Sequence, residues 1–376
     1  MVKTPQGNAV RSKVNSARTP STKTLQGNSE VELDERKQEG LKAKAHALFD
    51  TWRTAFGEQV LDKGLTPIEV EGEFTFPLVN PENGKESEIF MESGKRDGVM
   101  QDNDGNIWLL EHKTSSEDIS PGSSYWKRLS IDTQISKYLL SLIHEYPDRQ
   151  VMGVIYDVVK KPALRFGTRA VLDDDRKKIV RDADGNRVWN KNGTPKQSVS
   201  AGSEHTLETR DETPEEYELR CRTSIEENPT NFIEIQKVAQ TDETLLEYMK
   251  DAWASAEQIL YWREKNLWPR NPESCLHYGS CEFLELCVGQ ADIDGIRYRE
   301  RSSAHPELDS APSVTEKELL TNSRLRALRK CNRYHFHRYE QPIEPVREYS
   351  EALWFGSYWH DQLEDYLGAY MPEKIS

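Results

Sequence analysis

The stretch from Gly94 to Thr114 restricts the fold more than any other part of the chain. Gly94-Lys95-Arg96-Asp97-Gly98-Val99 and Trp108-Leu109-Leu110-Glu111-His112-Lys113-Thr114 flank Asp102-Asn103-Asp104-Gly105, which has the chemistry of a tight turn. Two strands are expected, 94–101 and 106–114, joined as a hairpin, with Asp97 near the end of the first. Side chains two apart on a strand share a face. Glu111 and Lys113 therefore point the same way, and the hairpin brings Asp97 close to them. Leu109 and Leu110 mark the second strand as buried, where an unpaired charge is costly. A buried strand carrying Glu-x-Lys beside an aspartate reads as a site rather than as a surface ion pair.

The surrounding pattern is that of an α/β domain. A helix is expected over 35–56, with Leu41, Ala45, Leu48, Phe49 and Trp52 on one face. Ile68–Phe76 alternates as a strand does, a helix is expected over 129–145, and the apolar run 151–159 reads as a buried strand. The polar region 165–213, with a second Asp-Gly turn at Asp184-Gly185, predicts a protruding hairpin. A long helix is expected over 241–265 and helical segments over 315–340 and 350–370. Residues 1–34 are polar and basic, with few large apolar side chains, and read as a disordered tail. The remainder divides into a core over 35–290, a linker over 291–312 and a helical element over 313–376. There is no internal repeat.

The 376 residues carry a net charge of -14, so the chain as a whole is no basic nucleic-acid coat. No apolar run is long enough to span a bilayer, and the N-terminus lacks the apolar stretch of a signal peptide. A cytoplasmic protein is expected, and its five cysteines then point to metal binding or inert burial rather than disulfides.

Carboxylates of this kind suit phosphodiester hydrolysis. Hard oxygens hold Mg²⁺ or Mn²⁺ with water positions left open, the cation activates water, and a lysine offsets charge at phosphorus. The arrangement resembles the PD-(D/E)XK nucleases, in particular the RecB-type branch, in which a following helix carries Gln-x-x-x-Tyr. Gln134-Ile135-Ser136-Lys137-Tyr138 matches it, with both side chains on one helical face. The resemblance implies a mixed sheet flanked by helices, Asp97, Glu111 and the backbone carbonyl of His112 on the cation, Lys113 assisting the water, and Gln134 and Tyr138 positioning the lysine and the DNA backbone.

Cys275, Cys281 and Cys287 fall within thirteen residues, a strong ligand signal. Thiolates suit an iron–sulfur cluster or zinc. Cys331 is the candidate fourth ligand, and Cys221 is left over. In RecB-type iron–sulfur nucleases one cysteine precedes the nuclease motifs and three follow. Their leading segment resembles Ser323–Tyr334 followed by Ala352–His360, whose Gly356-x-x-x-His360 ending corresponds to a metal-binding histidine. Here that element comes last. It is read either as a circular permutation that completes the same domain or as a truncated second copy. Residues 1–60 hold neither a cysteine nor a Gly-x-x-x-His, which favours the first reading. Lys160-Lys161-Pro162 and Arg270-Asn271-Pro272 are weaker points of likeness to viral members.

Basic side chains occur in two places. Lys177, Lys178, Arg181, Arg187, Lys191 and Lys196 surround Trp189, a mixture that tracks single strands in other proteins or simply solubilises a hairpin. Arg324, Arg326, Arg329, Lys330 and Arg333 lie on the C-terminal basic helix as candidate phosphate contacts or a solvated face. The expectation is a metal-dependent DNA nuclease, with a free-end exonuclease implied by the resemblance. It would use Mg²⁺ or Mn²⁺ and carry a [4Fe-4S] cluster (or zinc) on Cys275, Cys281, Cys287 and Cys331. Any helicase partner would be a separate protein, since no phosphate-binding Gly-x-x-x-x-Gly-Lys-Ser/Thr loop is present. The competing reading is a catalytically silent, zinc-stapled DNA-binding or assembly protein.

Overall fold

A computed structural model describes residues 35–277, 279–308, 317–346 and 350–372. The tail read over 1–34 and part of the linker, 309–312, lie outside the described residues. The chain is mixed α/β, with a curled sheet flanked by helices. In chain order come α1 (Glu35–Gln59), β1 (Thr66–Val79), β2 (Glu86–Gln101), β3 (Ile107–Ser115), α2 (Thr133–Glu145), β4 (Val151–Lys160), α3 (Pro214–Glu227), β5 (Ile233–Val238) and α4 (Asp242–Lys265). After these come β6 (Glu318–Leu320), α5 (Asn322–Lys330) and α6 (Glu351–Gly368). The sheet runs β1-β2-β3-β4-β5, with β6 added to β2.

β2 is longer than its alternation alone predicts, and it forks the sheet. Its C-terminal half pairs with β3 from Gln101↔Ile107 to Gly98↔Leu110, whereas residues 90–92 pair in parallel with β6. Between these two ladders the strand has no partner on that side. Asp97 therefore sits inside β2, at the fork, not at a strand end as expected. The β3–β4 ladder is parallel and continues through Glu111↔Tyr156 and Lys113↔Val158, which keeps β3 straight beyond the point where it leaves β2.

Alternation along β3 and β4 makes two cores. Leu110, Met100, Ile155 and Val159 face α1, α3 and α6, against Trp52, Phe56, Tyr217, Phe355 and Trp359. Val99, Leu109, Val154 and Val158 face α2, against Ile135, Tyr138 and Leu142. Burying such side chains contributes about 1.5–3 kcal/mol each before entropy is counted. A third cluster joins α4 to the C-terminal segment through Phe90, Tyr248, Ile259, Leu320 and Leu325.

Three expected boundaries change. The helix read over 129–145 begins at Thr133, because Asp132 caps it: its carboxylate accepts from the Gln134 amide at 2.8 Å. The segment read as helical over 315–340 opens with β6, and Thr321 caps α5 by accepting from the Arg324 amide. Of the expected linker, Tyr298–Glu300 pairs with Ile343–Pro345, and Tyr298 packs against Phe283 and Ile343. Region 165–213 holds not one hairpin but successive tight turns, closed at Asp173–Lys177, Asp182–Asn186 and Asn190–Thr194. Two short ladders, Thr168–Ala170 with Thr209–Asp211 and Val180–Arg181 with Thr206–Leu207, hold it together.

Candidate metal centre and thiol pocket

The fork assembles the site. Where the next rung between β2 and β3 would form, the His112 amide instead donates to Asp97 Oδ2 at 2.7 Å. A backbone donor thus fixes the carboxylate at the point where the strands part. Glu111 and Lys113, two apart on β3, meet each other and the helix opposite: the Lys113 ammonium donates to Glu111 Oε1, as does Gln134 Nε2 at 3.0 Å. Gln134 Nε2 also lies 3.0 Å from the Tyr138 hydroxyl. Tyr138 stands edge-on to Phe74 (5.3 Å between ring centroids) over Gly94, where an added Cβ would lie 2.7 Å from the Phe74 ring and 3.1 Å from that of Tyr138. The absence of a side chain at 94 is what lets α2 bring this pair down to the strand.

His360 arrives from α6, whose Trp359 packs against Trp52 and Phe49 of α1. Its Nδ1 lies 3.3 Å from Glu71 Oε1 and 3.9 Å from Asp97 Oδ1. Glu71, Asp97 and His360 each offer a ligand atom within 4.8 Å of the others. Glu71 was missed by the sequence reading: β1 carries Glu69, Glu71 and Glu73 in alternation, and nothing in that pattern distinguishes the middle one. The flanking pairs Val70↔Gly98 and Gly72↔Arg96 place it opposite Asp97.

The electrostatics are those of a centre short of positive charge. Burial, then the neighbouring charge of Asp97, pushes the Glu111 carboxyl up to about 8 despite Lys113. Burial would lower the Lys113 ammonium, but Glu111 and Asp97 outweigh it and hold it well above its ordinary value. Burial likewise opposes the charge on His360, and the Glu71 hydrogen bond with the Asp97 and Glu71 charges raises it. Glu111 Oε2 is fully buried and has no hydrogen-bond partner. An orphaned carboxylate oxygen beside an aspartate and an imidazole is a donor set that fits a hard divalent cation.

Behind the strand, His112 turns its ring to the opposite core. Nδ1 lies 2.6 Å from Asp157 Oδ2, which also accepts from Trp52 Nε1 at 2.6 Å. The residue expected to ligate through its carbonyl is thus tied by its side chain to β4 and α1.

Cys275, Cys281, Cys287 and Cys331 line one small pocket, together with Arg270, Asn271, Lys330 and Tyr334. The Asn271 amide donates to Cys331 Sγ at 3.2 Å, and the Arg270 guanidinium to the Cys287 carbonyl at 3.4 Å. Among the described residues no three thiols come within 4.8 Å of one another. That is wider than the spacing of about 3.8 Å that a tetrahedral zinc with Zn–S bonds of about 2.3 Å requires. Cys221 lies apart and is buried in α3.

The basic residues divide. Arg324 is buried rather than presented to solvent: it donates to Glu318 at 2.9 Å and Glu340 at 3.2 Å, so its charge is spent inside the fold. Arg329 lies 3.6 Å from Asp251. Lys330, with Arg326, Arg338, Ser323 and Tyr334, lines a surface groove next to the thiol pocket. In the turn region Arg187 is bound to Asp173 and Arg181 to Glu208, Lys177 lies 3.5 Å from Asp175, and Lys178 is exposed. Trp189 is exposed, with Arg187 over its ring.

Among the described residues no helix is long and apolar enough to cross a membrane. No protein-family model matches the chain, and no curated protein matches it as a relative.

Proposed function

We propose that the chain is a metal-dependent deoxyribonuclease of PD-(D/E)XK type that hydrolyses phosphodiester bonds, acting from DNA ends. The observation that carries this reading is the convergence, at one fork of the sheet, of Asp97, Glu111, Lys113, Gln134, Tyr138 and His360 from β2, β3, α2 and α6. Asp97, Glu111, His360 and the His112 carbonyl would hold Mg²⁺ or Mn²⁺, which would supply an activated water and neutralise charge at the phosphate. Lys113 sits where an ammonium can orient that water and offset charge on the phosphoryl oxygens. Gln134 donates to the same Glu111 oxygen as Lys113 and also to the Tyr138 hydroxyl, so the carboxylate is held by two elements at once. Asp97 is kept in place by the His112 amide.

The four cysteines suit a [4Fe-4S] cluster better than a single zinc, because the thiols surround a pocket without closing on a point. A cluster there would join the 275–287 segment to α5. The groove at Arg326, Lys330 and Arg338 offers a path for a phosphate backbone, and any motor for unwinding would be a separate protein.

The test is degradation of end-labelled single- and double-stranded DNA by anaerobically purified protein in Mg²⁺, Mn²⁺ or EDTA. Cation-dependent cleavage that Lys113→Ala loses supports the reading. Folded, cluster-loaded protein that leaves both substrates intact refutes it, and points to the non-catalytic DNA-binding alternative. Equimolar iron and acid-labile sulfide in the brown protein would identify the cluster; zinc without colour would replace it.

A further inference from the structure

The ligand set drawn from the sequence leaves Glu71 unused. We propose that Glu71 is a further ligand of the cation, and that β1 is distorted in order to supply it. This inference rests on the metal-centre reading above.

Three observations carry it. First, Glu71, Asp97 and His360 form the one group among the described residues whose ligand atoms all lie within 4.8 Å of one another. Second, Glu71 has φ of 53° within a strand, a left-handed conformation that a glutamate adopts only when its surroundings force it. The glycine next to it, Gly72, is not the residue in that conformation. It serves another purpose: an added Cβ there would meet the Glu69 carboxylate, which crosses the space on its way to Arg96. Glu69 is thereby committed to a buried guanidinium, whereas Glu71 turns to His360 and Lys95. Third, Glu111 Oε2, on the neighbouring strand, is buried without a hydrogen-bond partner, an orphaned oxygen whose chemistry suits a cation independently of the Glu71 geometry.

Glu71 is held by His360 at 3.3 Å and by Lys95 at 2.6 Å. Lys95 keeps the carboxylate in position without entering the ligand group. Glu71 would add a carboxylate to a donor set that already includes the His360 imidazole, whose nitrogen suits Mn²⁺ better than Mg²⁺.

The experiment measures Mn²⁺ binding by calorimetry and by electron paramagnetic resonance of the free ion, on the whole chain without DNA. It compares wild type with Glu71→Gln, Glu71→Gly and Asp97→Asn, with circular dichroism as a check on folding. The expected result is at least a tenfold loss of Mn²⁺ affinity in Glu71→Gln, approaching that of Asp97→Asn. Glu71→Gly should show the same loss while melting at a higher temperature than wild type in the absence of metal, since glycine accepts the left-handed φ. Wild-type affinity in both Glu71 variants overturns the inference, as does a wild-type chain that binds no Mn²⁺. These outcomes separate from the fate of the nuclease reading: DNA cleavage with Glu71-independent Mn²⁺ binding sinks only the inference. Glu71-dependent binding with no cleavage of any DNA leaves the inference standing and sinks the nuclease.

Discussion

Glu111 has two donors on one oxygen and none on the other, and this asymmetry sets its chemistry. Gln134 contributes one of those donors from the first turn of α2. Gln134→Ala should therefore leave the fold intact while lowering the turnover number about tenfold or more, the scale of a lost positioning contact; single-turnover cleavage beside a melting curve reads both. Arg324 presents the opposite case. It looks like a phosphate contact in the sequence, yet it is enclosed by Glu318 and Glu340. Removing one partner of a buried pair leaves charge uncompensated. Glu318 is 40% exposed, so solvent screens part of the loss. Arg324→Ala should cost about 2–4 kcal/mol by urea unfolding, whereas Lys330→Ala should leave stability unchanged and make DNA binding less sensitive to salt. At this scale the closeness of Asp97, Glu111 and Lys113 was legible because strand period two is rigid geometry. The approach of Glu71 was not, because its distinguishing feature is a backbone angle, and the burial of Arg324 was not, because its counter-ions come from β6 and from the helical segment Phe336–Glu340.

Elements meet the site through two contacts. The first is aromatic: Trp359 of α6 packs between Trp52 and Phe49 and so sets the depth of His360. Trp359→Ala should cost about 3–5 kcal/mol, as fully buried aromatic truncations do, and should weaken Mn²⁺ binding although residue 359 touches no ligand. The second is ionic. Arg263 of α4 and Arg324 of α5 both bind Glu318 and Glu340, with His335 buried beside them. Burial would raise the Glu318 carboxyl, but the two arginines hold it at about 2. Burial and then Arg324 and Arg263 push His335 down to about 3. Both values are depressed relative to the unfolded chain, so each group stabilises the fold above its ordinary value and loses that contribution as pH falls. The melting temperature should decline in acid, through His335 from about 6.5 toward 3 and through Glu318 from about 4.5 toward 2. The double variant Glu318→Gln, His335→Gln should show a flatter profile in the same scan; an unchanged slope would remove this network as the cause.

Across the whole molecule, residues far apart in sequence meet. β6 adds to β2, α5 packs on α4, and Cys331 joins the three earlier cysteines in one pocket. A buried lysine strengthens the junction: Lys137, between Gln134 and Tyr138 on α2, lies 3.0 Å from Glu92, and its ammonium donates to the Leu320 carbonyl of β6. Deleting 313–376 should therefore leave Lys137 and the α4 face uncovered and produce an aggregating chain, not a smaller stable one; size-exclusion chromatography of the truncated protein tests this. What the sequence determined by itself were quantities with a short period or a short reach: the hairpin, the Gln-x-x-x-Tyr face, the cysteine triplet and the polar composition of 165–213. What only the tertiary structure decided were the fork in β2, the left-handed Glu71, the internal pairing of Arg324 and the meeting of His360 with Asp97. Each depends on which distant segments compete for the same edge or the same charge, and no local periodicity records the outcome of that competition.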